Sequence, residues 1–79
     1  MIRLVFLGKL ADIAEGDTLE LPGGGDWAEL LSNLPPALAE AVAAGSTKVA
    51  VNGALVADKT AIVARDGDEI AFLPPVSGG

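Results

Sequence analysis

Apolar residues that alternate near both ends of the chain, with a helical pattern between them, constrain the fold more than any other feature. Residues 2–8 and 68–75 each place alternate apolar side chains on one side, as a β-strand does. Residues 27–34 instead carry apolar side chains at helical spacing. If the first and last strands are neighbours in one sheet, the intervening crossover helix makes them parallel. This order predicts an α+β fold of the β-grasp type, with a mixed sheet of four to five strands packed on one main helix plus short helices.

A further strand and a capped helix are predicted in the first half of the chain. Residues 17–22 alternate cleanly, with Leu19 and Leu21 predicted to face the core. After a run of three glycines that we interpret as a hinge, Asp26 is a good N-cap, and Glu29 follows three positions later, as a capping box requires. The main helix is therefore expected to begin next to Asp26.

The remaining predicted elements are short. They are a helical turn at residues 9–16, a second helix at 36–45, a strand at 47–53 and a return strand at 54–58. Gly45 is predicted to stop the second helix. Asn52-Gly53 is the strongest hairpin signal in the sequence, because both residues tolerate the positive φ angles of a type I′ turn.

The second face of the predicted sheet has no helix left to cover it. Leu7, Leu55 and Leu73 fall on that face by their phase in the strands, followed by the pair Pro74-Pro75. An uncovered apolar patch of this kind usually marks a contact surface. Leu55, Leu73, Pro74 and Pro75 are therefore candidate partner-binding residues. By contrast, Phe72 shares the inward phase of the last strand and is predicted to belong to the core.

Composition excludes several classes of function. The chain has no Cys and no His, which removes thiolate metal sites, disulfides and the usual neutral-pH proton shuttle. Its net charge of −6 disfavours nucleic acid as a partner. The absence of a long apolar run predicts no membrane span, and the first residues do not resemble a signal peptide, so we expect a cytoplasmic protein. No bound cofactor and no catalysis by the isolated chain are expected.

The last residues of the sequence predict a projecting end. We expect a domain over residues 1–75 and a flexible tail over residues 76–79, Val76-Ser77-Gly78-Gly79, because prolines stop the sheet ladder and glycine orders least readily. A Gly-Gly end has no Cβ atoms and can thread a narrow active site. Its only reactive group is the α-carboxylate of Gly79, which becomes an acyl donor once it is joined to AMP.

The segment RDGDEIAFLPPVSGG (65–79) resembles the C-terminus of the molybdopterin synthase small-subunit family, and MIRLVFLGKLADIAEG (1–16) and VAVNGALV (49–56) resemble the same family in type and position. The resemblance covers essentially the whole chain. It implies a ubiquitin-like fold and a sulfur-carrier function. Leu55 and Leu73 fall where that family places apolar contacts to its partners.

The resemblance also implies a reaction and partners. Gly79 would be adenylated by an adenylyltransferase similar to the ubiquitin-activating enzyme, which uses ATP, and then converted to a thiocarboxylate. The tail, with Val76 and Ser77 contacting the partner and Gly78 and Gly79 as the reactive end, would enter the large subunit of molybdopterin synthase. There it would donate sulfur to a pyranopterin precursor, within a heterotetramer of two small and two large subunits.

Other functions remain open from the sequence. The chain could carry sulfur for thiamin thiazole, cysteine or tRNA thiolation, although thiazole carriers are usually shorter and lack the Pro-Pro exit. It could instead be a ubiquitin-like modifier whose Gly79 forms amides with lysines of target proteins. A plain interaction domain with an incidental Gly-Gly end is the remaining alternative, and for it deletion of both glycines should change nothing.

Overall fold

The computed structural model describes residues 1–75 of the 79-residue chain. The strands are β1 (Ile2–Phe6), β2 (Thr18–Leu21), β3 (Gly25–Asp26), β4 (Lys48–Val51), β5 (Ala54–Leu55), β6 (Val63–Ala64) and β7 (Glu69–Leu73). The helices are α1 (Lys9–Ala14), α2 (Trp27–Ser32) and α3 (Pro36–Ala43), and Lys59–Ala61 forms a 3-10 turn. Five strands make the main sheet, in the order β2-β1-β7-β4-β5.

The first and last strands are parallel neighbours at the centre of this sheet. In the β1–β7 register Leu4 is opposite Ile70 and Phe6 is opposite Phe72, whereas β2 pairs antiparallel with β1 and β4 antiparallel with β7. The helices between β1 and β4 supply the crossover that parallel pairing requires. The predicted α+β β-grasp fold with a mixed sheet of five strands is therefore confirmed.

The core lies between the helices and one face of the sheet. The side chains of Phe6 and Phe72 stack with ring centroids 5.4 Å apart, and the Trp27 ring lies 6.4 Å from Phe72. Phe72 is completely buried, as its phase predicted. The other large, fully buried side chains come from the same strands, α3 and β4: Ile2, Leu4, Leu38, Val42, Val49 and Ile70.

The capping signals of the sequence are confirmed at two places. The Asp26 carboxylate accepts a hydrogen bond from the Glu29 amide at 2.9 Å, and the Glu29 side chain accepts one from the Asp26 amide at 3.2 Å. In the β4–β5 hairpin, Asn52 and Gly53 both have positive φ, 50° and 86°. This conformation matches the right-handed twist of the strands. The return strand is shorter than predicted and ends at Leu55.

One prediction about a single residue holds only in part, and another is wrong. Leu19 faces the helix side of the sheet, as predicted, but remains 37% exposed because β2 is an edge strand. Gly45 does not stop α3: the helix ends at Ala43, and Ala44 takes an extended conformation at its C-cap. The turn after α3 is held by a side chain that lies far away in the sequence.

That side chain is Lys59, whose ammonium group binds the carbonyl oxygens at the end of α3. Its Nζ donates to the Val42 carbonyl at 2.9 Å, to the Thr47 carbonyl at 2.8 Å and to the Ala44 carbonyl. It also lies 5.9 Å from the centroid of the Trp27 ring. Burial, and to a lesser extent the charge of Lys48, lowers the pKa of Lys59. Lysine is favourable at this place because the last carbonyls of a helix have no intrahelical partner and carry partial negative charge.

Replacing Lys59 by methionine is expected to lower the free energy of unfolding by about 2 kcal/mol, since the change removes charged hydrogen bonds and leaves their acceptors to water. The exposed Lys9 at the start of α1 is the matched control, and Lys9→Met should stay within about 0.5 kcal/mol of the parent. Urea denaturation followed by circular dichroism measures both. Equal stability of the two variants would mean that the three carbonyls are solvated equally well without Lys59.

The start of β7 is joined to the β4–β5 turn by side-chain hydrogen bonds. The side-chain amide of Asn52 donates through Nδ2 to the Asp68 carboxylate at 3.0 Å. The side-chain oxygen of Asn52 accepts from the backbone amide of Glu69 at 2.9 Å. The Asn52 bond, followed by a bond from the Arg65 amide, lowers the pKa of Asp68. A carboxyl group whose pKa is lower in the folded than in the unfolded state stabilises the folded state at pH values above its ordinary pKa. The contribution is lost as the pH falls through the folded-state pKa.

A second, two-stranded sheet was not predicted. β3 pairs antiparallel with β6, with Gly25 opposite Ala64 and Asp26 opposite Val63. The glycine run is therefore not only a hinge, because its backbone passes directly over β6: a Cβ on Gly24 would lie inside the contact distance of the Ala64 carbonyl oxygen.

No helix within residues 1–75 combines the length and the apolar character needed to cross a bilayer.

Candidate functional site

The face of the main sheet that turns away from the helices is the candidate contact surface, and we call it the outer face. Its apolar members, taken from the strand registers and burial, are Val5, Leu7, Ala50, Leu55, Ala71 and Leu73. Leu55 is 71% exposed, the most exposed large apolar side chain among the described residues. An apolar surface of this kind on a small domain is typical of a binding surface.

Small residues form the middle of the outer face. Ala50 of β4 is opposite Ala71 of β7 on one side and opposite Leu55 of β5 on the other. Ala71 is in turn opposite Val5 of β1. These two small side chains, of which Ala50 is almost buried, therefore separate the larger apolar residues Val5 and Leu55 at the middle of the face. Leu73 lies on the same face at the C-terminal end of β7.

Charged side chains border the apolar part. The Arg3 guanidinium lies 4.0 Å from the Glu69 carboxylate, and both side chains are more than half exposed. Lys48 is opposite Leu73 in the β4–β7 register, beside the end of the last strand. Exposed pairs such as Arg3–Glu69 contribute little to stability. Their position makes them available for orienting a partner instead.

The end of β7 is held against the β1–α1 turn. The Leu7 amide donates to the Phe72 carbonyl at 3.2 Å, which extends the parallel pairing of β1 and β7 beyond Phe6. Gly8 has a φ of +55°, and a Cβ at Gly8 would approach the Pro74 ring at 3.1 Å. Pro74 is half-buried by this packing, whereas Pro75 is exposed. The chain therefore leaves the domain at a fixed place, next to Leu73 and the outer face.

The structure places some of the predicted site residues together and leaves others outside its description. Leu55 and Leu73 lie on the outer face, as their phase predicted. Pro74 packs against Gly8 just after β7, and Pro75 is exposed. Val76, Ser77, Gly78 and Gly79 lie outside the described residues. The prediction missed three members of the face, Val5, Ala50 and Ala71. The period-2 alternation of β1 and β7 already carried the signal for Val5 and Ala71.

Within residues 1–75, no helix covers the apolar outer face, which lies beside the end of the last strand. A β-grasp domain with such a face is typical of the class of ubiquitin-like proteins. Within that class, the chain belongs to the ThiS family, whose family profile matches residues 4–79. This family comprises ubiquitin-like sulfur carriers and modifiers. Its sulfur carriers generally act with a catalytic subunit and an activating enzyme.

Solved structures with the same fold come from Haloferax volcanii. The crystal structure of SAMP1 is 27% identical, covers 99% of this chain and 98% of its own, and has a TM-score of 0.69. A crystal structure of small archaeal modifier protein 1 is 24% identical, with 95% and 97% coverage and a TM-score of 0.64. The solution structure of the HVO 2177 protein is 21% identical, with 99% and 85% coverage and a TM-score of 0.69. A comparison with curated proteins gave no significant match.

Proposed function

We propose that the chain is the sulfur-carrier subunit of molybdopterin synthase, in the biosynthesis of the molybdenum cofactor. The observation that carries the proposal is the apolar outer face, which lies beside the place where Pro74 packs against Gly8. The family match of the chain extends from there to Gly79. This arrangement suits a domain that docks by its sheet and delivers the residues after Pro75 into a partner. Residues 1–75 serve as the docking domain in this proposal, and residues 76–79 serve as the delivering tail.

The chemistry begins at the α-carboxylate of Gly79. A carboxylate oxygen attacks the α-phosphate of ATP on the activating enzyme, pyrophosphate leaves, and an acyl-adenylate is formed. Sulfur at the oxidation level of sulfide, supplied by that enzyme system, then attacks the acyl carbon. The acyl–phosphate bond breaks, AMP leaves, and a thiocarboxylate remains. The chain itself cannot perform this displacement because it has no Cys. ATP is thus a substrate of the activating enzyme, and this chain binds no cofactor of its own.

The large subunit of the synthase provides the reaction site for sulfur donation. Four residues, fully extended, span at most about 13–14 Å, which is enough to reach a buried site from a docked domain. Gly78 and Gly79 have no Cβ atoms and therefore fit a narrow channel. The thiocarboxylate sulfur is transferred to the pyranopterin precursor in a heterotetramer of two small and two large subunits. The net charge of −6 favours partners with basic surfaces over nucleic acid, and we place the reaction in the cytoplasm.

Protein modification is the second candidate, because solved structures with this fold include a protein named as a small archaeal modifier. In that case the same activated Gly79 forms an amide with a lysine of a target protein. Carriers for thiamin thiazole, cysteine or tRNA thiolation use the same thiocarboxylate and differ in the acceptor.

The reconstituted reaction distinguishes these candidates. Thiocarboxylated protein, mixed with the large subunit and the pyranopterin precursor, is expected to yield molybdopterin, and each component alone is expected to be inactive. Lack of product with the complete mixture, together with covalent ladders on other proteins in a cell extract, would support the modifier function and refute the carrier function proposed here.

Leu55→Asp is expected to weaken binding to the large subunit at least tenfold, or about 1.4 kcal/mol, because a carboxylate would replace an apolar contact on the outer face. Val63→Asp is the matched control, since Val63 is 64% exposed but lies in β6, outside the main sheet. Isothermal titration calorimetry with unloaded protein measures both. Equal affinity of the two variants would remove the outer face from the interface.

A further inference from the structure

The free edge of β2 is a surface that the proposed function does not use. β2 is the last strand on one side of the main sheet. In the β1–β2 pairing, Leu4 is opposite Leu19 and Ile2 is opposite Leu21, and the Phe6 amide donates to the Asp17 carbonyl at 2.7 Å. Hydrogen-bonded and non-hydrogen-bonded pairs alternate along an antiparallel ladder. Because Phe6 and Asp17 are a hydrogen-bonded pair, Thr18 and Glu20 belong to non-hydrogen-bonded pairs. Thr18 and Glu20 therefore direct their backbone amides and carbonyls away from β1.

A groove of about 380 Å³ lies beside this edge. One wall is the chain from Ala14 to Leu19, the other is the α2–α3 connection at Asn33 and Pro35, and Phe6 and Leu38 belong to its apolar lining. The exposed part of Leu19 faces this space, since Leu19 has the inward phase and lines the groove. Leu19 thus offers apolar surface beside a strand edge that no other strand of residues 1–75 covers.

The charges around the groove indicate what kind of partner fits it. The segment that forms α1, the following turn and β2 carries one base and four acids: Lys9, Asp12, Glu15, Asp17 and Glu20. A second copy of the chain is a poor occupant, because pairing β2 with itself brings together two chains that each carry a net charge of −6. A segment with basic residues at its ends is attracted instead.

We propose that the β2 edge binds an extended, apolar segment of a partner protein flanked by Lys or Arg, which adds a strand to the sheet. Backbone hydrogen bonds to Thr18 and Glu20 hold the segment, as in other cases of strand addition. Its alternate side chains enter the groove beside Leu19. Its flanking bases lie against Glu15, Asp17 and Glu20. The site is separated from the outer face, where Leu55 and Leu73 lie, and does not depend on the proposed sulfur chemistry.

The probe is a synthetic peptide in which Val alternates with Thr, with two Lys at each end. Titrated into ¹⁵N-labelled protein, it is expected to shift the amides of residues 17–21, 33–34 and 37–38, and to slow hydrogen exchange at Thr18 and Glu20. The same peptide with Glu in place of Lys should bind at least tenfold more weakly. Sedimentation of the free protein should show a monomer.

Variants separate this site from nonspecific binding. Leu19→Ser and Glu20→Pro should each weaken peptide binding at least tenfold, whereas Val63→Ser on the exposed β6 should leave it unchanged. Proline at an edge removes an outward amide without breaking the ladder. If Glu20→Pro disturbs the spectrum of the free protein, Leu19→Ser decides alone. The absence of saturable binding, shifts confined to the outer face, or dimerisation through β2 would each overturn the proposal.

Discussion

A chain extended by one alanine after Gly79 is expected to keep its fold and to lose sulfur loading completely. Under the proposed function, the extension moves the α-carboxylate away from Gly79 and places a methyl group where the activating enzyme would receive a residue without a side chain. β7 is the last element of residues 1–75, and an addition beyond Gly79 removes no contact that those residues make with one another. Whole-protein mass spectrometry after incubation with the activating enzyme, ATP and a sulfur donor measures the loading.

The control for this experiment is the extended chain itself after carboxypeptidase has removed the added alanine. Trimming should restore loading to the level of the parent, and the amide spectra of the parent, extended and trimmed proteins should coincide over residues 1–75. Loading of the extended chain at the parental rate would refute the proposed role of the Gly79 carboxylate. It would not affect the fold or the proposed peptide site at β2.

Gly24→Ala is expected to destabilise the domain by about 3 kcal/mol or more, which is at the upper end of the cost of overpacking. The new Cβ would meet the Ala64 carbonyl oxygen at far less than contact distance and would lie 3.2 Å from the Ala64 carbonyl carbon and 3.3 Å from the Arg65 Cα. These are backbone atoms, which cannot move aside as the end of a side chain can. The β3–β6 pairing must separate to admit the methyl group.

Thermal unfolding measures this effect, with a loss of about 12 °C or more in Tm expected for a domain of this size. Gly45→Ala is the matched control: nothing lies near its added Cβ, and its φ is not positive. That variant should be neutral or should gain about 0.4–1 kcal/mol from the reduced freedom of the unfolded chain. A Gly24→Ala protein as stable as Gly45→Ala would show that the glycine run does not need to approach β6.

The elements that the sequence predicted well are those with a local pattern. The alternation in β1 and β7 and the helical stripe beginning at Trp27 lead to the parallel central pair, and the Asp26–Glu29 capping box marks the start of α2. The two-residue strands β3 and β6 are too short to show any alternation, so their pairing cannot be predicted from local sequence. Lys59 likewise acts through three carbonyls that only the tertiary fold brings to it.

In the candidate site, too, the residues whose position depends on a local sequence pattern were the ones that could be predicted. Leu55 and Leu73 could be assigned to the outer face because strand phase determines it, and the hairpin signal at Asn52-Gly53 sets the register of β5. Ala50 is almost buried, and only its pairing with Leu55 and Ala71 places it on the outer face. Leu19 faces the helix side as its phase predicted, but phase alone does not show how far the helices cover it. Its exposed part lies at the groove beside the β2 edge.

Whole-protein mass spectrometry of the chain, produced in a host with its own activating enzyme and sulfur donor, tests the central claim most directly. The proposed function predicts a species heavier than the unmodified chain by the difference between one sulfur and one oxygen atom, and fragmentation should assign that difference to Gly79. An unmodified chain as the only species, in a host whose activating enzyme loads another carrier of the ThiS family in parallel, would contradict the claim.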